Sequence, residues 1–390
     1  PASGTGILIL HSDSDYLNFR PAHELAKRGY FVLCANVAGS VKPLEEKLLD
    51  VKRAYAYFRE AAPIDKLLLL GHSGGATLMS AYQSVAENGC AVFQGEEKLY
   101  KLPDIGVLPP ADGVLLFDSN WGNGSMTLLS LDPAVEDEAS GQKLTPAYDV
   151  CDPKVGYDPN GSQYAGEFIQ RYMQAQRARM ARLIALAQER LVAIEAGKGA
   201  YLDDEPFVIP GGQQFAPCNK LFPQDTHLLA HTKKAWPLLH GDGTVTTEVV
   251  HSLRRPMPAR EMTPYFRRAA NVTTVRTFLS GSAVLGSENY GMDESGIYGI
   301  EYDSSYCCTP GNVRHISVPT LVMGLTAGYE YLASEQIYEN LGSQDKTLAF
   351  AEGINHPFQV PRELETYPGQ FGDPIKVMFD YVKNWIDCRF

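Results

Sequence analysis

A chain of 390 residues, 44% hydrophobic and 21% charged, carries enough apolar material for a sizeable core, arranged as one domain with a large insertion or as two domains. Its net charge of -12 repels a long polyanion, and no apolar run approaches the length a bilayer requires, so neither nucleic acid nor a membrane is an expected partner. Cys34, Cys90, Cys151, Cys218, Cys307, Cys308 and Cys388 have neither the paired spacing of a zinc site nor the density of a disulfide scaffold. They suit a reducing compartment, which favours the cytoplasm slightly without fixing a localisation.

The first third alternates short apolar runs with amphipathic stretches, the pattern of a parallel sheet with crossover helices. Residues 6–11 read as a buried strand, and residues 21–29 as a helix with Pro21 in its first turn and Gly29 at its end. Residues 30–34 give the next strand. Leu44, Leu48, Val51, Tyr55 and Phe58, at alternating spacings of four and three, make one apolar face of a helix over residues 43–60. The apolar strand 66–70 then runs into Gly71-His72-Ser73-Gly74-Gly75, with a helix from Ala76 to about Ala86 and a strand over residues 112–118. From residue 119 to 314 this rhythm breaks, apart from one strong helix over residues 168–196 that Gly197 stops. It returns with a strand at residues 320–323, a helix near 333–341, a strand at 346–351 and a closing helix from Pro374 to about Trp385. The expected organisation is therefore a core in two parts, residues 1–118 and 315–390, with a mainly helical cap or lid at 119–314.

The sharpest chemical signal is Gly71-His72-Ser73-Gly74-Gly75, which fits G-x-S-x-G in the setting that motif requires, an apolar strand before it and a helix after it. A sharp turn there lifts the Ser73 hydroxyl above the sheet, and a serine needs a base to take its proton. Of nine histidines, His356 has the right setting, on a loop between the last strand and the closing helix. The carboxylate that would orient His356 should end a strand beside the nucleophile strand. Glu330 is favoured, with Asp118 as runner-up. Two backbone N–H groups should receive the developing oxyanion: Gly74, and Asp13 or its neighbour Ser12 on the loop after the first strand. His72, excluded as the base, joins Tyr16, Asn120 and Trp121 as residues expected to contact substrate.

These features resemble the α/β-hydrolase superfamily over about residues 5–118 and 315–390. The resemblance implies an α/β fold with a doubly wound, mostly parallel sheet, a site at the carboxyl ends of its strands, and no need for a metal or organic cofactor. Usual members begin with two further strands, whereas this sequence opens at the equivalent of the third. The glycine that usually follows the first-loop histidine is Ser12 here, and glycine stands at residue 328, two residues before Glu330, where the family often places its acid. A serine nucleophile argues against the dehalogenase and epoxide-hydrolase branches, which use aspartate there.

The expected activity is hydrolysis of a carboxylic ester, lactone or related acyl compound through an acyl-enzyme. The alternatives are an acyltransferase or thioesterase with the same triad, a C–C bond hydrolase, and a non-catalytic ligand-binding protein of the same fold. Cys307-Cys308 is expected in a buried turn. Arg254, Arg255, Arg260, Arg267 and Arg268 are expected to solvate and bridge the lid rather than bind an anionic substrate.

Overall fold

The computed structural model describes residues 4–214, 219–257 and 269–390. Cys218, Arg260, Arg267 and Arg268 lie outside the described residues. Among the described residues no helix is long and apolar enough to cross a membrane.

The strands β1 (Thr5–Ile9), β2 (Phe31–Cys34), β3 (Lys66–His72), β4 (Gly113–Phe117), β11 (Thr320–Leu325) and β12 (Lys346–Ala351) pair in parallel in the order β2-β1-β3-β4-β11-β12. Their side chains divide by the two-residue period of a strand. Leu8, Leu69, Leu116 and Phe350 face one core with the helix α2 (Leu44–Ala61), the helix α3 (Gly74–Asn88) and the helix α5 (Gly166–Glu195). Ile7, Leu70, Phe117 and Met323 face the other, covered by α1 (Arg20–Lys27) and the closing helix Pro374–Asp387. Both faces are buried, which is why these strands read as continuous apolar runs and not as alternating ones.

The inserted segment is mixed rather than mainly helical. It holds α4 (Asn123–Leu129), α5 and a helix at Val275–Gly281, together with the strands β5 (Pro206–Ile209) to β10 (Gly296–Glu301). Two of these strands join the main sheet: β6 (His231–Leu239) pairs in parallel with β12, and β7 (Val245–His251) pairs antiparallel with β6 and ends the sheet. The eight-stranded sheet is thus completed from within the segment expected to lie outside it. Gly197, at φ 68°, stops the chain after α5, and Cys307 and Cys308 are buried free thiols in the approach to β11.

Arg179, fully buried on α5, is held by Glu138 and by the carbonyls of Asp132 and Pro210. Arg254 caps the carbonyls of Phe222 and Leu228, and Arg255 reaches the carbonyl of Glu363. These two arginines are committed to backbone oxygens.

Candidate active site

β3 ends at His72, and the chain turns at once into α3. Ser73 occupies that turn at φ 54° and ψ −128°, a conformation L-residues rarely adopt. The turn closes only with glycines beside it: a Cβ on Gly71 would stand 2.6 Å from Ala76 Cα, and one on Gly75 would stand 2.7 Å from the Leu10 carbonyl oxygen. Among the described residues the other non-glycine positions at positive φ are Asp118, Leu229 and Phe358. Asp118 and Phe358 flank the same site, so three of these four strained residues gather around it.

Asp118 follows β4 at φ 40° and is fully buried. Its Oδ1 accepts from Leu325 N at 2.9 Å, and its Oδ2 accepts from His356 Nδ1 at 2.7 Å. The carboxylate on His356 is therefore Asp118 and not Glu330. Glu330 arrives after the turn that follows β11, just ahead of the helix Tyr331–Asn340, and its Oε2 folds back to accept from Tyr329 N at 3.2 Å. The positive φ at Asp118 carries the shorter side chain to the histidine from the neighbouring strand.

His356 sits on a loop pinned on several sides. Gly353 N donates to Thr326 Oγ1, Ala327 N donates to the Ile354 carbonyl, and Phe358 N donates to the Asn355 carbonyl. Burial alone would hold the imidazole below its ordinary range, but Glu330 and Asp118 outweigh it and raise His356 to about 9. The His72 ring lies 4.3 Å from the His356 ring, centroid to centroid. Its Nδ1 pairs with the Tyr16 hydroxyl at 2.6 Å, while Nε2 is buried without a partner, and burial pushes His72 well below its usual titration range. Tyr16 also stacks on Phe19, so His72 and Tyr16 form a neutral layer behind His356 and their polar atoms are turned to each other.

On the other side of Ser73, Gly74 opens α3, where backbone N–H groups have no partner within the helix. Asp13 N, expected as the second oxyanion donor, donates instead to His11 Nδ1 at 3.1 Å, and Ser14 N donates to the same atom at 2.9 Å. Two N–H groups pointing at Nδ1 place the His11 proton on Nε2, and burial holds His11 down to about 4 against the pull of Asp13. The backbone N–H of Ser12 has no partner among the described residues, so the alternative position on this loop is the free one. A Cβ on Gly74 would stand 2.6 Å from Ser12 Oγ, 2.8 Å from Asn123 Oδ1 and 3.2 Å from His11 Cε1.

Asn123 is thus a site residue that the sequence did not single out, whereas His11, placed near the site by its position at a strand end, gains a role that the sequence did not assign. Asn123 Nδ2 donates to Ser12 Oγ at 3.1 Å, which in turn donates to Asp13 Oδ1 at 2.6 Å. The available signal for Asn123 was its place a few residues past the end of β4, and for His11 its place at the end of β1. Trp121, expected to contact substrate, is fully buried with its indole N–H given to Gln336 Oε1 and belongs to the core. Asn120 is buried and spends its Oδ1 on Gly122 N at 2.9 Å, holding the turn that presents Asn123.

Nitrogen atoms of His72 and His356 and an oxygen of Asp118 lie within 4.8 Å of one another. The direct 2.7 Å bond between His356 and Asp118 leaves no space for an ion between them, so the trio fits a hydrogen-bonded dyad with a stacked ring better than a ligand set. Chemically, the site offers a hydroxyl on a strained turn, an imidazole held by a buried carboxylate, and two unengaged backbone donors.

No protein-family model matches the sequence, and no curated protein matches it. Among solved structures the chain is similar to a metagenome-derived lipolytic enzyme of the LipS and LipT pair, at 12% identity and TM-score 0.39 over 99% of this chain and 94% of that one. It is also similar to DcsB in complex with its substrate analogue, at 10% identity and TM-score 0.44 over 99% and 91%. A third is the monoacylglycerol lipase of Paleococcus ferrophilus, at 11% identity and TM-score 0.38 over 98% and 94%. A mostly parallel sheet covered on both faces, with a serine at the tight turn between its central strand and the following helix, is the α/β-hydrolase fold, and the chain has it.

Proposed function

We propose that this α/β-hydrolase chain is a serine hydrolase that cleaves a carboxylic ester, lactone or related acyl compound, with Ser73 as nucleophile, His356 as general base and Asp118 as the carboxylate that orients it. The observation that carries this reading is the 2.7 Å bond from His356 Nδ1 to a fully buried Asp118, beside a serine strained at φ 54°. The Asp118 bond fixes the Nδ1–H tautomer and leaves Nε2 to receive a proton. Ser73 Oγ then attacks the acyl carbon as its proton passes to Nε2, and the tetrahedral oxygen is met by the N–H groups of Gly74 and Ser12. His356 returns the proton to the leaving group, and water repeats the sequence on the acyl-enzyme.

Asn123 supports the donor assignment to Ser12, because its amide holds the Ser12 side chain and with it the loop. In this reading the parts of the inserted segment outside β6 and β7 cover the site and set substrate choice. No metal or organic cofactor enters any step.

The test is labelling with a fluorophosphonate followed by peptide mass mapping. One adduct, on Ser73, is expected, absent from Ser73→Ala, together with turnover of at least one member of a panel of p-nitrophenyl esters and lactones. An adduct on another serine, or none on folded protein, would remove the hydrolase reading and leave a ligand-binding one.

A further inference from the structure

The loop after β1 brings a second histidine to Ser73. β1 runs parallel beside β3, in register from Thr5↔Lys66 to Ile9↔Leu70, so the residues that follow the two strands emerge together at the carboxyl end of the sheet. The approach to the two residues after Ser73 is close: a Cβ on Gly75 would stand 3.4 Å from His11 Cα, and one on Gly74 would stand 3.2 Å from His11 Cε1. The imidazole thus presents its Cε1 edge to the residue whose N–H heads the oxyanion pocket, and the glycine at 74 leaves no side chain between them.

The polar atoms of this ring are used unequally. Nδ1 accepts from Asp13 N at 3.1 Å and from Ser14 N at 2.9 Å, so the proton of the neutral ring sits on Nε2. Tyr16 packs on the ring with centroids 4.6 Å apart, but its hydroxyl pairs with His72. Asn123 Nδ2 donates to Ser12 Oγ, which donates to Asp13 Oδ1, so these neighbours are spent on one another. Nε2–H, one bond from the edge beside Gly74, has no partner among the described residues, although His11 is only 7% exposed. Unlike the orphaned Nε2 of His72 it is not sealed from solvent, so it opens on space that a ligand can enter. A largely buried donor without an acceptor is costly, and an arriving substrate oxygen removes that cost.

Charge fits the same role. Burial keeps His11 neutral down to about 4 against the pull of Asp13. A neutral imidazole still polarises a carbonyl, and it does not repel the imidazolium that forms on His356.

We propose that His11 is a further catalytic residue, whose Nε2–H donates to the oxygen that turns anionic when Ser73 attacks, beside the backbone N–H groups of Gly74 and Ser12. This rests on the reading of Ser73 as nucleophile. No proton changes owner at His11: that of Ser73 passes to His356, and the Nε2 proton stays where it is. The ring is held at Nδ1 by its own loop and so is aimed before substrate arrives.

Two substitutions separate the donor from the loop anchor. His11→Asn keeps an acceptor near the place of Nδ1 and removes Nε2–H, whereas His11→Gln keeps an N–H near the place of Nε2 and removes the acceptor. On the ester that the native protein turns over fastest, His11→Asn should lower kcat by about 100-fold or more with KM little changed, the usual loss of one oxyanion donor. His11→Gln should recover part of that loss, and the rate of Ser73 labelling by a fluorophosphonate should follow the same order. A ring that serves its loop alone gives the reverse, with Gln as harmful as Asn or more so, and that result overturns the proposal. ¹⁵N NMR of the native protein checks it without any variant. His11 should show the Nε2–H tautomer, and that proton should move downfield when phenylboronic acid adds to Ser73. An Nδ1–H tautomer, or a proton unmoved by a boronate bound to Ser73, overturns the proposal and leaves the hydrolase reading intact. Native protein that takes no adduct on Ser73 overturns the hydrolase reading, and the proposal falls with it.

Discussion

Which carboxylate pairs with His356 is a question of single dihedral angles. Both Asp118 and Glu330 follow strands that neighbour each other in the sheet, so their positions in the chain do not separate them. Asp118 at φ 40° reaches Nδ1, while Glu330 turns back to its own backbone. Nothing in residue type or spacing encodes that choice; Ser73 and the His356 loop were legible because a strand, a glycine-rich turn and a helix leave a local signature. Asp118→Asn should keep the fold, since the amide replaces the carboxylate at equal volume, yet lower kcat by about 10,000-fold, the size of the equivalent change in a serine protease. Steady-state kinetics on folded protein checks it. A loss no greater than that of Glu330→Gln on the alkaline plateau would return the acid assignment to Glu330. The oxyanion donors follow the same logic: Asp13 was a reasonable position on its loop, but His11 Nδ1 takes its N–H, and only the folded loop shows that Ser12 is left free.

At the scale of elements, legibility follows burial. β1, β3, β4, β11 and β12 are covered on both faces and announce themselves as apolar runs, and α2 and α5 announce themselves by period. β6 and β7 do not. The sequence of β6 is His-Thr-Lys-Lys-Ala-Trp-Pro-Leu-Leu, with its middle exposed, and β7 is exposed at nearly every position. A strand at the rim of a sheet needs little apolar surface, and so leaves little trace. What holds β6 in place is a side chain on another element: the buried Glu335, on the helix Tyr331–Asn340, accepts from Lys233 N at 2.8 Å, Lys234 N at 3.0 Å and Trp236 Nε1 at 2.7 Å. This carboxylate stands in for the ladder partner that the irregular register between His231 and Ala235 removes. Glu335→Ala orphans three donors at once and should cost about 3 kcal/mol in a urea unfolding series, at about 1 kcal/mol or more for each. An unchanged midpoint with an unchanged slope would show that β6 is held by its pairing alone.

For the whole molecule, the same histidines set opposite demands on stability and on activity. His11 takes its proton at about 4 in the folded chain and at 6.5 when unfolded. Between those values the unfolded chain holds the extra proton, so stability falls as pH falls, and His72, also lowered by burial, adds to the slope. Each such group contributes up to about 1.4 kcal/mol per pH unit inside its window. His356 works in the other direction: raised from 6.5 to about 9, it contributes stability that is fully present below 6.5 and is lost as pH rises through 9. Stability should therefore peak near pH 6.5 and decline on both sides. The acid decline belongs to two rings that must stay neutral, and the alkaline decline to one ring that loses its charge. With His356 as the proposed general base, activity needs its ring neutral, so kcat/KM should still be rising at the pH of greatest stability and should level off only above about 9. Urea midpoints and kcat/KM measured in parallel from pH 4.5 to 9.5 check both halves. Stability that is level between 4.5 and 6.5 would mean that His11 and His72 accept protons in the fold, and an acid limb of kcat/KM centred near 6.5 would mean that the two carboxylates do not hold a proton on His356.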